Sequence, residues 1–225
     1  METEFEYKQD IINTRVGCLG SSDAKLLAQV SNSGAIPQGA KKRLAVVKGL
    51  VEPQDGFKTR AMRCGDIIEN LIYQNLAHNV EEQYQSNPLW VSKKYSRKNV
   101  NLISHPDIVR VDAQNNTVTV LEVKTTQETF DATRAEYYAQ LYVHNIIAME
   151  LYPTYKIDVK LVHYSTKGMD LQNMTDAEIV DSFDPTRITV RKCKFSGLNF
   201  DVHFAMDRID RYLETLDCYF EGDEI

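Results

Sequence analysis

Two carboxylates and an ammonium, Asp107, Glu122 and Lys124, form the constellation in this chain best suited to attack on a phosphodiester. Asp107 follows a proline near the start of the run HPDIVRVDAQNNTVTVLEVK, residues 105–124, and Glu122 stands fifteen residues after it. Residues 117–123, TVTVLEV, are rich in β-branched and apolar types, and the preceding DAQNN is a turn signal, so the run predicts a β-hairpin. Strand side chains alternate between faces, which puts Glu122 and Lys124 on one side and Leu121 and Val123 on the other. A carboxylate and an ammonium at the end of an apolar strand are costly to hide unless something pairs with them. A divalent metal shared with Asp107 would do that and leave Lys124 to act on water, as phosphodiester hydrolysis requires.

A Glu-x-Lys pair alone is more often a solvated strand edge, so the flanking elements must carry the argument. Upstream, residues 60–79 place Ile67, Ile68, Leu71, Ile72 and Leu76 at helical spacing and predict a core-facing amphipathic helix. Glu69 sits beside that stripe, within reach of a site between helix and sheet; taken alone it reads as a surface glutamate. Downstream, residues 133–150 predict a second helix with Tyr138, Leu141, Tyr142 and Met149 as its buried stripe. Gln140 lies three residues from Tyr137 and four from His144, so these polar groups share another face.

Four ordered segments carry a family likeness: RVGCLGSSDAKLLA at 15–28, CGDIIENL at 64–71, SHPDIV with LEVKTT at 104–126, and EYYAQL at 136–141. Together they resemble the PD-(D/E)XK nucleases of the lambda exonuclease type, the YqaJ viral recombinase family. The likeness spans most of residues 15–150 and little of the C-terminal third. It implies an α/β, restriction-endonuclease-like fold, a mixed central sheet flanked by helices. Residues 1–225 would form a single nuclease domain, with a catalytic core over about 15–165 and a C-terminal strand and helix extension over about 166–225.

The activity implied is Mg²⁺-dependent exonucleolytic cleavage of DNA from 5′-phosphorylated duplex ends, with Mn²⁺ able to substitute. Asp107 and Glu122 would ligate the metal, with the carbonyl of Val123 as a further ligand and Glu69 holding metal directly or through water. Lys124 would orient or deprotonate the attacking water, and Gln140 would buttress lysine and water. Arg15 and Ser22 would hold the terminal 5′-phosphate. The family also implies a ring-shaped homo-oligomer, a trimer favoured, and a strand-annealing recombinase as partner, in bacterial or phage-infected cytoplasm. Hard oxygen ligands suit Mg²⁺, which needs only a few carboxylates plus substrate phosphate. Two positions depart from the pattern: Ile108 replaces the glycine common after Pro-Asp, and His144 replaces a tyrosine usual four residues after the glutamine. Both bear on how the water is positioned and neither removes a ligand. The alternatives are a single-strand exonuclease or structure-specific endonuclease of the same superfamily, or an inactive DNA-binding or assembly protein.

Composition agrees with an intracellular enzyme. The N-terminal METEFEYKQD is polar and acidic, unlike a secretory signal, and no apolar run is long enough to span a bilayer. Cys18, Cys64, Cys193 and Cys218 are scattered, which predicts free thiols and no iron–sulfur cluster, since Cys193 and Cys218 are too far apart for a tight C-terminal group. A net charge of −6 opposes DNA binding, but Lys41, Lys42, Arg43 and Lys48 cluster, as do Lys93, Lys94, Arg97 and Lys98 with Trp90 and Tyr95 interleaved. Elsewhere, Ser21 or Ser22 should cap a helix running to about Val30, well placed for an anion. Residues 41–50 read as a helix, 155–164 and 187–195 as strands, and 166–186 as a loop or insertion. A last helix, about 200–220, shows Val202, Met206, Ile209, Leu213, Leu216 and Phe220 at helical spacing.

Overall fold

The computed structural model describes residues 16–52, 59–77, 84–195 and 200–220, with side chains of the last helix described to Leu216. In chain order the elements are β1 (Cys18–Leu19), α1 (Ala24–Ser33), α2 (Lys41–Lys48), α3 (Arg60–Ala77), β2 (Tyr84–Ser86), β3 (Trp90–Ser92), β4 (Asn101–Ser104), β5 (Ile108–Asp112), β6 (Thr117–Thr126), α4 (Phe130–Leu151), β7 (Lys156–Ser165), α5 (Asp176–Asp181), β8 (Ile188–Lys192) and α6 (Val202–Phe220). The protein is a mixed α/β molecule, with a five-stranded mixed sheet, a small three-stranded sheet and flanking helices. It divides into two compact units that interleave along the chain.

The unit of residues 56–88 and 105–195 contains the larger sheet, in the order β2-β5-β6-β7-β8. β5 and β6 form the expected hairpin, with Ile108 opposite Leu121 and Asp112 opposite Thr117. Its turn follows from side-chain chemistry. Asp112 accepts a hydrogen bond from the Asn115 N–H at 3.0 Å, and Asn116 takes the left-handed conformation, φ 50°, that asparagine tolerates. β6 and β7 run parallel, so a crossover must join them, and α4 is that crossover. Thr129 caps α4 by accepting from the Ala132 N–H.

Alternation along β6 sends Leu121 and Val123 into an apolar cluster with Cys64, Ile68 and Ile72 of α3, together with Ile108, Val162, Tyr164 and Ile179. The stripe of α3 is therefore Cys64, Ile68 and Ile72; Ile67 and Leu71 are half-buried and Leu76 is exposed, contrary to the expected set. In α4 the expected stripe needs a larger correction. Leu141 is buried, but so are Val143, His144, Ile146, Ile147 and Ala148, while Met149 is exposed. Tyr138 and Tyr142 instead turn to Phe195, with ring centroids 5.5 and 5.8 Å away, and the Tyr138 hydroxyl donates to the Lys194 carbonyl. The stretch expected as a loop contains α5, held by a capping box between Thr175 and Glu178.

The unit of residues 1–55, 89–104 and 196–225 contains the small sheet, β1-β4-β3, with α1, α2 and α6. Neither Ser21 nor Ser22 caps α1. Asp23 closes that turn from inside, accepting from the Gly20 N–H at 2.9 Å, while Ser21 is buried and Ser22 exposed. Val202, Met206, Ile209 and Leu213 of α6 are buried as expected, and Leu216 is half-buried.

Candidate active site

Asp107 lies one residue before β5, where that strand's pairing with β6 has ended at Leu121. Its carboxylate continues the ladder: Oδ2 accepts from the Val123 N–H at 2.6 Å. A strand residue's N–H and carbonyl point to the same side, so the Val123 carbonyl also faces the side where β5 has stopped. Backbone hydrogen bonding thus brings Asp107 to the strand that bears Glu122 and Lys124.

Glu122 is only 1% exposed, on the sheet face covered by α4. Its Oε1 accepts from Lys124 Nζ at 2.5 Å and from Gln140 Nε2 at 2.6 Å. Nε2 of His144 lies 2.9 Å from Oε2, within ion-pair distance though off the line of a hydrogen bond. The Lys124 ammonium also sits 4.7 Å from the centre of the Tyr137 ring. Tyr137, Gln140 and His144 do share one helical face, and it is the face laid over β6. Gln140 reaches the carboxylate rather than the lysine it was expected to buttress.

Glu69 approaches from α3, where its Oε1 accepts from Asn87 Nδ2 at 2.9 Å. Asn87 is in the left-handed region, φ 48°, and its own N–H donates to the Asp107 carbonyl at 2.8 Å. One asparagine therefore ties Glu69 to the backbone that carries Asp107. Asn87 escaped the sequence reading, although its Asn-Pro turn was a faint signal; His144 was read as sharing the Gln140 face and as a departure from a motif, but not as a partner of Glu122.

The three carboxylates respond differently to being gathered. Burial, then the nearby Glu122, pushes Asp107 well above the ordinary aspartate range. Burial also raises Glu69, and the Asn87 hydrogen bond opposes it only in part. For Glu122 burial acts upward too, but His144 and Lys124 outweigh it and bring the carboxyl down to about 2. Burial acts to lower Lys124, yet Glu122 and Asp107 prevail and hold it above its ordinary value. Lys124 is therefore an ammonium here, a donor and a charge rather than an acceptor of protons.

Among the described residues no three carboxylate, imidazole or thiol groups already enclose a point where an ion could sit. Each acidic side chain is instead held by a protein donor. The chemistry of the set nevertheless fits a hard divalent cation: three carboxylates and a strand carbonyl gather about one lysine, and burial first, then the neighbouring carboxylates, raises Asp107 and Glu69.

Other expected residues stand as follows. Arg15 lies outside the described residues. Ser22 is exposed beside α1, next to Asp23, whose carboxylate is matched by a forked contact from Arg43 at 3.0 and 2.9 Å. Arg43 and Arg97, the latter paired with Asp207, are thus committed within their unit, whereas Lys41, Lys42, Lys93 and Lys94 are exposed. Trp90 is buried, so it is a core residue of the small sheet rather than a stacking platform. Cys18, Cys64 and Cys193 are free and buried; the Cys218 side chain lies outside the described residues.

No family model and no curated protein matches the chain. A solved structure known as SSO0001 superposes with a TM-score of 0.48 at 14% identity, over 96% of this chain and 86% of that one. A likeness of that degree carries no argument about chemistry. Among the described residues no helix is long and apolar enough to cross a membrane.

Proposed function

We propose that the protein is a metal-dependent deoxyribonuclease of the PD-(D/E)XK class with a restriction-endonuclease-like fold, acting as an exonuclease on 5′-phosphorylated duplex ends. The observation that carries this reading is the buried Glu122, joined on its own strand face by Lys124, with Asp107 fastened to the intervening Val123. A structural ion pair needs only two of these partners. A second carboxylate hydrogen-bonded onto the same strand adds repulsion that serves no packing purpose.

Asp107, Glu122, Glu69 and the Val123 carbonyl would hold the metal, Mg²⁺ or Mn²⁺. When bound, it supplies positive charge for the attacking and departing oxygens of an in-line displacement. Lys124, held between Glu122 and Tyr137, points a charge-bearing donor into the site. There it orients water and offsets the charge that builds on phosphate. Gln140 donates to the Glu122 carboxylate and holds it until a cation takes that oxygen. The expected family assembly, a ring with a strand-annealing partner, belongs to this same reading.

One observation favours the runner-up, a single-strand exonuclease or structure-specific endonuclease with the same chemistry. A phosphate pocket wants uncommitted cations, and the start of α1 presents Asp23 with Arg43 already bound to it. End-labelled linear duplex incubated with Mg²⁺, beside closed circular duplex, tests the proposal directly. The linear DNA is expected to be digested to mononucleotides and the circle spared. Asp107→Ala and Glu122→Ala should each abolish digestion, and Ca²⁺ should support binding without cleavage. Full activity in EDTA, or undiminished turnover by either variant, sinks the nuclease reading.

A further inference from the structure

The two oxygens of Glu122 have different neighbours. Oε1 takes both Lys124 and Gln140, at 2.5 and 2.6 Å. Oε2 faces the imidazole of His144, 2.9 Å away and within ion-pair distance though off the line of a hydrogen bond, and takes no hydrogen bond itself. Both residues are almost wholly enclosed, His144 at 0% and Glu122 at 1% exposure. A histidine so deeply buried on an otherwise apolar stretch of α4, between Val143 and the Ile146–Ala148 run, is a costly choice for filling space. Leucine or methionine would fill the same volume without a polar atom. The imidazole is therefore kept for what it does to Oε2.

We propose that His144 is a positioning residue that anchors Glu122 through Oε2, so that Oε1 is the oxygen the site presents to a cation. This rests on the metal-site reading above and deepens it. Lys124 and Gln140 share Oε1, so any cation taking that oxygen displaces them together. Both donors are then free for water and phosphate, while His144 keeps the carboxylate from following them. Without His144, Glu122 would have its two strongest partners on the contested oxygen and nothing fixing the other. It would rotate with Lys124 and meet the cation poorly. Positioning partners of this kind typically change metal affinity by roughly ten- to a hundredfold when removed.

The test is Mn²⁺ binding to the full chain without DNA, measured by calorimetry, with thermal unfolding to confirm the fold. His144→Met keeps the bulk and removes the ring N–H; His144→Gln keeps a donor of similar reach. The Met variant should bind Mn²⁺ about tenfold or more weakly, and the Gln variant should recover most of that loss. On a Glu122→Gln background the Met substitution should cost nothing further, because the carboxylate it positions is gone. Asp107→Ala separates the two levels of the argument. If Asp107→Ala leaves Mn²⁺ binding intact, the metal site itself is wrong. If Asp107→Ala weakens binding but both His144 variants bind as the parent does, the metal site stands and His144 is packing alone. Equal losses for Met and Gln, or a loss that persists on the Glu122→Gln background, also overturn the positioning role. Should His144→Met fail to fold, His144→Leu takes its place: a tenfold loss that the Gln variant recovers upholds the role, and parent-like binding by both refutes it.

Discussion

Burial opposes the charge on Glu122, Asp107 and Glu69 alike, yet the three end in different states because their partners differ. Glu122 has His144 and Lys124 and is held low, while for Asp107 burial and the carboxylates of Glu122 and Glu69 outweigh Lys124 and the Val123 N–H. For Asp107 the folded pKa lies above the unfolded one, so its contribution to stability is full below the unfolded value and is lost as pH rises through the folded value. Glu69 has the same sign. The metal-free protein should therefore lose stability as pH climbs above about 4, the ordinary carboxylate range, through the raised folded values. Asp107→Asn, measured by thermal unfolding in EDTA across pH 4 to 9, should flatten that decline and raise the midpoint at neutral pH. A parent curve that stays level, or an asparagine variant less stable at pH 8, contradicts the uncompensated charge. Lys124 yields a second expectation at this scale. Lys124→Ala should cut turnover by about two orders of magnitude or more, as for loss of a charge-stabilising group, while DNA affinity in Ca²⁺ falls far less. A collapse of affinity in step with rate makes Lys124 a binding residue. These side chains were legible because Glu122 and Lys124 are the only charges in the apolar strand 117–126 and a Pro-Asp opens the hairpin. Asn87 was not, because its contact with Glu69 joins residues eighteen apart on different elements, which no periodicity describes.

The hairpin, the two long helices and the crossover could be read from pattern, since each has a strong period and a marked turn. Which face each helix buries was read less well, and α4 shows the reason. Aromatic Tyr138 and Tyr142 drew the expected stripe toward themselves, but they pack on Phe195 near the end of a strand distant in sequence. The sheet instead covers a broader arc, from Leu141 through Ile147. On so widely buried a helix, a period of 3.6 residues no longer singles out one face. α5 was missed because six residues carry too little periodicity, although the Thr175–Glu178 capping box marks its start. The burial pattern makes a direct comparison. Leu141→Ala should destabilise by about 2–5 kcal/mol, as for a buried leucine in a tight core, and Met149→Ala by no more than about 0.5 kcal/mol. Urea unfolding measures both. Equal effects would restore the stripe expected from the aromatic residues.

At the scale of the whole molecule the proposed activity requires a chain of net charge −6 to engage a polyanion and to prefer its ends. Part of the negative charge is gathered at the candidate site, where a divalent ion would offset it. Under that proposal the exposed Lys41, Lys42, Lys93 and Lys94 would supply phosphate contacts, so DNA binding should weaken steeply with salt. End preference needs more than a basic surface. A terminal 5′-phosphate carries more charge than an internal diester, and an arginine fork beside a serine can recognise it. Arg15 and Ser22 are seven residues apart across a glycine-containing turn, which is why they are assigned that work. Ser22 stands exposed at the turn that opens α1, but Asp23 next to it is negative and draws Arg43 away. If Arg15 supplies the missing cation, a 5′-phosphorylated linear duplex should be degraded clearly faster than its 5′-hydroxyl counterpart. Arg15→Ala should erase that difference and leave the slower, basal hydrolysis in place. Ser22→Ala should narrow the difference by a smaller factor, since it removes one neutral donor. Equal rates on both ends would mean that Asp23 and Arg43 neutralise each other without forming any anion pocket. Cutting of closed circular duplex by the parent protein would then point to an endonuclease with the same metal site.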